Sequence, residues 1–66
     1  MNESLISQNY NIPTMLSIAE VVKRTGLSYY YLRKGCIDGE IIHIRCGNKY
    51  LINFEKLVAK LNGEDQ

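Results

Sequence analysis

The chain has 66 residues, of which 45% are apolar and 23% are charged, and it contains one proline. This length is sufficient for only one small domain, because a second hydrophobic core would need about 40 further residues. The composition excludes a collagen-like repeat, a long coiled coil and a disordered chain. A catalytic cleft needs a larger scaffold, and no nucleophile lies at a suitable spacing from a base, so we expect no enzyme.

The positive charges are concentrated in the middle of the chain. From Leu16 to Leu61 there are eight Lys and Arg residues against four Asp and Glu residues, a net charge of +4. The remaining acids flank this region, at Glu3, Glu64 and Asp65. A moderate positive excess is compatible with a nucleic-acid partner without requiring one.

The two cysteines, Cys36 and Cys46, are too few for the disulfide framework of a small secreted protein. With His43 they offer three zinc ligands at C-x6-H-x2-C spacing, without the fourth ligand that a structural zinc site needs. We therefore expect two buried free thiols, a solvent-facing His43, no metal site and no cofactor.

Three segments are predicted along the chain. Residues 1–15 are polar without a sustained hydrophobic period, and Pro13 disfavours a helix before it, so we expect a flexible arm. The folded domain is predicted over residues 16–62 and a frayed tail over 63–66. No signal-peptide pattern and no apolar run of about 18 residues is seen, so we expect a cytoplasmic protein with no membrane partner.

Two short helices are predicted from their caps. Ser17 begins the first as a capping box with Glu20, and Gly26 ends it. Ser28 caps the second helix within about three residues, and this helix runs from Tyr29 to Ile37. We expect the following side chains of this region to face the core: Ile18, Ala19, Val22, Leu27, Leu32, Cys36 and Ile37.

A β-hairpin and a third helix follow. Gly47-Asn48 predicts a two-residue turn between strands over 41–46 and 49–52. Asn53 caps the last helix, whose apolar residues recur at helical spacing. In the hairpin, we expect a core face of Ile42, Ile44, Cys46, Tyr50 and Ile52. The expected outer face comprises His43, Arg45, Lys49 and Leu51.

The predicted order of helix, helix, hairpin and helix is that of a small winged helix-turn-helix domain, an α+β fold in which the hairpin is the wing. The segment from Leu16 to Ser28, LSIAEVVKRTGLS, resembles the opening of excisionase-type and MerR-like DNA-binding domains. Leu32-Arg33 resembles the leucine and arginine of the MerR-like recognition helix. The run from Arg45 to Leu57, RCGNKYLINFEKL, resembles the excisionase wing leading into the final helix.

The resemblance implies a sequence-specific double-stranded DNA-binding protein. MerR-like regulators continue into a long dimerisation helix and an effector domain, so this length favours the excisionase side. An excisionase is a recombination directionality factor of a phage or mobile element. It binds adjacent sites in attachment DNA, bends that DNA and steers a tyrosine-type integrase toward excision. The implied partners are therefore DNA, an integrase, and further copies of the chain lying side by side on the DNA.

The second helix is predicted to enter the major groove, with the wing against the minor groove or the backbone. Arg33 has a forked guanidinium that fits guanine O6 and N7. The other residues expected to contact DNA are Ser28, Tyr29, Tyr30, Lys34, Arg45, Asn48 and Lys49.

Two other interpretations remain open at this point. A small MerR-like transcriptional regulator needs the same DNA-binding surface, so the residues do not separate it from an excisionase. A winged-helix protein-interaction module, such as an antirepressor, is compatible with the modest net charge. Leu51, an apolar residue expected on an outer strand face, is a candidate partner contact.

Overall fold

The structure, a computed structural model, describes residues 12–64, which form a small α+β domain of three helices and a three-stranded antiparallel sheet. Most of the predicted arm (residues 1–11) and the end of the predicted tail (65–66) lie outside the described residues. Within the described range, no helix has the length and apolar character needed to cross a membrane. In chain order the elements are β1 (Met15–Ser17), α1 (Ile18–Thr25), α2 (Tyr29–Asp38), β2 (His43–Cys46), β3 (Lys49–Asn53) and α3 (Phe54–Leu61).

The sheet has the strand order β1-β3-β2, with both pairings antiparallel. The β2–β3 hairpin was expected, whereas β1 was not. Leu16 in β1 pairs with Ile52 in β3, so the chain enters the sheet immediately before the first helix. Thr14, just before β1, donates its backbone N–H and its hydroxyl to the Glu55 carboxylate, each at 2.9 Å. These bonds hold the start of the sheet against α3.

All three predicted helix caps are confirmed. The Ser28 hydroxyl oxygen accepts the Tyr31 amide at 2.9 Å, and the Asn53 side chain accepts the Lys56 amide at 3.0 Å. The Ser17 hydroxyl oxygen accepts the amide of Glu20 at 3.2 Å. In a full capping box the Glu20 carboxylate would also accept the backbone amide of Ser17. Here that carboxylate accepts from Arg24 Nε instead, at 3.0 Å.

The core lies between the helices and one face of the sheet. Its buried apolar residues are Ile18, Val21, Leu32, Cys36, Ile41, Ile52 and Leu57. Val21 takes the place that was expected for Ala19, which is exposed. Ile37 was expected beside Leu32 but is 54% exposed at the end of α2. The core is consequently small, and several apolar side chains remain at the surface.

The predicted faces of β2 are wrong. His43 pairs with Ile52 and Arg45 pairs with Tyr50, so these four side chains share the helix-facing side of the sheet. Ile42 and Ile44 lie on the opposite side and are about half exposed. The two-residue turn places Cys46 opposite Lys49, and with this register Tyr50 and Ile52 cannot share a face with Ile44.

Candidate nucleic-acid interface

A cleft of about 410 Å³ separates the exposed side of α2 from the β2–β3 hairpin. The first residues of α1 close one side of it. Its lining combines basic, tyrosine, small polar and apolar side chains, and none of the described residues contributes a carboxylate to it. The lining residues are Ser17, Ile18, Ala19, Tyr29, Arg33, Arg45, Asn48, Lys49 and Tyr50. Five of the residues expected to contact DNA are thus brought together: Tyr29, Arg33, Arg45, Asn48 and Lys49.

The helix side of the cleft is fixed by the packing of α2. Leu32 and Cys36 are buried in the core and hold one side of the helix inward. Tyr29 and Arg33, four residues apart, share the exposed stripe that faces the cleft. Tyr29 is 53% exposed, so its ring and hydroxyl are accessible.

The hairpin side of the cleft is fixed by the tight turn at Gly47 and by the aromatic ring of Tyr50. Gly47 has a φ of 60°, which suits the first central position of a two-residue hairpin turn and favours glycine there. The Arg45 guanidinium lies 5.4 Å from the centroid of the Tyr50 ring, and Arg45 Nε donates to the Gly47 carbonyl oxygen at 3.1 Å. Arg45 is therefore held in one orientation beside the cleft.

His43, which was expected to face solvent, contributes instead to the packing of the hairpin. It lies partly buried on the helix-facing side, with its ring edge-on to Tyr50 at 5.4 Å between centroids. Its Nδ1 donates to the Ile41 carbonyl oxygen at 2.7 Å. His43 thus supports the ring on which Arg45 rests.

The cations of the cleft have no acidic partner within residues 12–64. Neither Arg33, Arg45 nor Lys49 forms an ion pair there. Other bases are engaged locally, since Arg24 pairs with Glu20 at 3.0 Å and Lys34 with Asp38 at 2.8 Å. Acidic side chains of the described residues therefore leave the positive charge at the cleft uncompensated.

Four predicted contact residues lie outside the cleft. Lys34 lines a separate groove, where its hydrogen bond to Asp38 and the charge of that carboxylate raise the pKa of its ammonium group. Ser28 and Tyr30 are exposed on the same helical segment, and Tyr30 is 73% exposed. Leu51 pairs with Ile44 on the outer face of the sheet, away from the helices.

Sequence reasoning missed four residues of the cleft: Ser17, Ile18, Ala19 and Tyr50. Ser17 was identified as a cap, while Ile18, Ala19 and Tyr50 were assigned to the core. The pairing of Tyr50 with Arg45 follows from the turn length, so the sequence contained a signal for that contact. The approach of α1 to the hairpin depends on β1, for which there was no comparable signal.

The cysteines occupy two different environments. Cys36 is buried, and this burial raises the pKa of its thiol, as expected for a structural cysteine. Cys46 is exposed on the outer face of the sheet, so the expectation of two buried thiols is wrong for Cys46. Among the described residues, no three His, Cys, Asp or Glu side chains are grouped so as to hold a metal ion.

The cleft therefore presents two tyrosines, an asparagine and three cations that form no ion pair within the described part of the chain, all on one concave surface. Such a surface is suited chemically to an anionic ligand that also presents flat ring surfaces and polar edges. Comparison with protein-family models, curated proteins and solved structures finds no match to the chain.

Proposed function

We propose that the chain is a winged helix-turn-helix protein that binds double-stranded DNA through α2 and the β2–β3 hairpin. The observation that carries this proposal is the convergence of Arg33, Arg45 and Lys49 on a cleft that no carboxylate of residues 12–64 lines. DNA binding is driven largely by pairing such cations with phosphates and releasing counterions. The short turn between α1 and α2 and the hairpin that follows are the parts that a winged helix-turn-helix domain requires.

In this proposal α2 lies in the major groove and the hairpin acts as the wing on the adjacent backbone or minor groove. Arg33 can read guanine by donating to O6 and N7. Tyr29 and Tyr30 offer hydroxyls to phosphates and ring surfaces to thymine methyl groups. Arg45 and Lys49 contact the backbone beside the hairpin, and Asn48 at its tip reaches the groove.

We further propose an excisionase role, in which the chain binds and bends attachment-site DNA and directs a tyrosine-type integrase toward excision. Support for this finer proposal comes from the resemblance of residues 16–28 and 45–57 to excisionase-type domains. The site of action would be the cytoplasm, where the DNA and the integrase are present.

Binding to DNA is tested by fluorescence anisotropy with labelled duplexes at low ionic strength, using both random DNA and DNA that flanks the chain's own gene. We expect Arg33→Ala to weaken binding to the preferred site by about 5- to 150-fold, or about 1–3 kcal/mol, and to relax base preference. Lys56→Ala is the matched control, because Lys56 is exposed on α3 outside the cleft. Equal effects of the two variants would reject the assigned surface.

Footprinting separates the two DNA-binding roles. Protection of attachment sites beside an integrase gene, together with bending of the bound fragment, supports excision. Protection confined to a promoter supports the alternative of a small transcriptional regulator. An interaction module such as an antirepressor would bind no duplex even at low salt.

A further inference from the structure

The outer face of the sheet, defined here as Ile42, Ile44, Leu51 and Met15, is apolar, and none of the helices within residues 12–64 packs on it. The three helices pack on the other side, where Ile52 joins their buried residues. Ile42 and Ile44 are 52% and 50% exposed. Exposed β-branched side chains grouped on one flat sheet face are an unusual surface for an isolated small domain.

The register fixes how these side chains are arranged. Ile44 pairs with Leu51, and Leu51 pairs with Ser17, which forms one row across all three strands. The Asn53 amide donates to the Ile42 carbonyl oxygen at 3.0 Å, and Asn53 pairs with Met15, which forms the next row. Ser17 and Asn53 are polar members of these rows, and their side chains cap α1 and α3. The remaining members, Ile42, Ile44, Leu51 and Met15, form an apolar strip.

Opposite charges lie at the two ends of this strip. Lys49 is exposed at the hairpin end, where it pairs with Cys46. Glu55 lies at the other end, directly after β3, where its carboxylate is held by Thr14. Hydrogen bonds from the backbone and side chain of Thr14 lower the pKa of Glu55, so this end is negatively charged at neutral pH.

We propose that the outer face binds a second copy of the chain in a two-fold symmetric pair. A two-fold axis that lies in the interface across the strands brings the same patch of each copy together, with the strands of the two sheets running in opposite directions. Lys49 of each copy then approaches Glu55 of the other, while Ile42, Ile44 and Leu51 are covered. The charge pattern is thus complementary to itself, which identifies a second copy as the occupant.

The pair leaves Arg33 and Arg45 of the cleft accessible, because Ile44 and Leu51 lie on the opposite face of the sheet, whereas Lys49 lines the cleft and also lies at the end of the strip. This inference goes beyond the proposed DNA-binding function and does not depend on it. If both are correct, two recognition helices related by a two-fold axis would favour inverted half-sites in the DNA.

Sedimentation velocity of the full chain without DNA tests the pair. We expect the weight-average mass to rise from one chain toward two with a midpoint on the order of 100 µM, since the patch falls in the small, weak class of interfaces. Ile44→Lys should remain a single chain at all these concentrations. Ile37→Lys is the matched control, because Ile37 is 54% exposed on α2, and it should associate like the parent.

A second variant tests whether the charges at the two ends of the strip contribute to association. Lys49→Glu should raise the midpoint concentration severalfold, because it places like charges together at both ends of the pair. Circular dichroism of each variant establishes that the fold is retained. A parent chain that stays a single chain up to about ten times the expected midpoint would overturn the proposal. Equal loss of association in Ile44→Lys and Ile37→Lys would overturn it as well.

Discussion

The Arg45 guanidinium rests on the ring of Tyr50, at 5.4 Å from its centroid, and the two residues are direct partners across the β2–β3 hairpin. The contact orients a cation at the cleft before any ligand arrives. Tyr50 lies on the helix-facing side of the sheet but is only partly buried, because it also lines the cleft.

Removing this ring should weaken DNA binding without changing the charge of the cleft. A cation–π contact at an exposed site contributes about 0.5–1 kcal/mol, so Tyr50→Leu should lower duplex affinity about 2- to 5-fold. Tyr50→Phe keeps the ring and should bind like the parent. Anisotropy titrations at fixed salt measure both, and equal affinities of the Phe and Leu variants would contradict the role of the ring.

The sequence predicted the helices well because each begins and ends at a strong local signal. Ser17, Ser28 and Asn53 are caps whose hydrogen bonds depend on residues three positions away. The β1 strand was missed because three residues are too few to show an alternating pattern. Its pairing with β3 is a long-range contact for which the neighbouring sequence carries no signal.

The two faces of β2 were predicted wrongly because the prediction used the alternation of apolar residues and not the pairing register that the turn sets. Ile42 and Ile44 alternate like core residues, yet the core of so small a domain takes Ile41 instead. The turn at Gly47-Asn48 fixes which residues face each other, and it was the more reliable signal. The same error hid the contact of Arg45 with Tyr50 and the apolar strip on the outer face.

Gly35 should resist substitution, because α2 passes very close to Ile41. A Cβ atom at position 35 would lie 2.5 Å from Ile41 Cδ1 and 2.7 Å from its Cγ1. Gly35→Ala gains about 1 kcal/mol of helix propensity, but overpacking costs about 1–3 kcal/mol. We expect a net loss of about 1 kcal/mol in the free energy of unfolding, measured by urea denaturation.

The double variant Gly35→Ala/Ile41→Val separates crowding from other causes. Valine removes the Cδ1 atom that lies closest to the added methyl group. The cost of Gly35→Ala should therefore be smaller in the Ile41→Val background than in the parent. Additive costs would show that the contact with Ile41 is not responsible.

The Thr14–Glu55 contact predicts a stability change at acid pH. The backbone N–H and the hydroxyl of Thr14 stabilise the carboxylate and hold the pKa of Glu55 below its usual 4.5. The contribution is fully present above 4.5 and is lost as the pH falls through the lowered pKa. NMR titration of the Glu55 carboxyl carbon should show this pKa, and Thr14→Val should raise it. An unchanged pKa in Thr14→Val would exclude the hydroxyl as a partner.

The two cysteines should react at very different rates. Cys36 is buried with a raised thiol pKa, whereas Cys46 is exposed. Treatment of the native chain with iodoacetamide, followed by mass spectrometry, should label Cys46 first and Cys36 only on unfolding. Comparable labelling of both in the native chain would contradict the burial of Cys36.

The salt dependence of duplex affinity tests the central claim most directly, namely that the cleft cations contact DNA phosphates. Each such contact contributes about 0.9 to the slope of log K against log salt concentration. The triple variant Arg33→Ala/Arg45→Ala/Lys49→Ala should flatten the slope by about 2 to 3. Lys23→Ala/Lys56→Ala/Lys60→Ala removes the same charge outside the cleft and should leave the slope near that of the parent. Equal flattening in both variants, or no binding by the parent at low salt, would contradict the account.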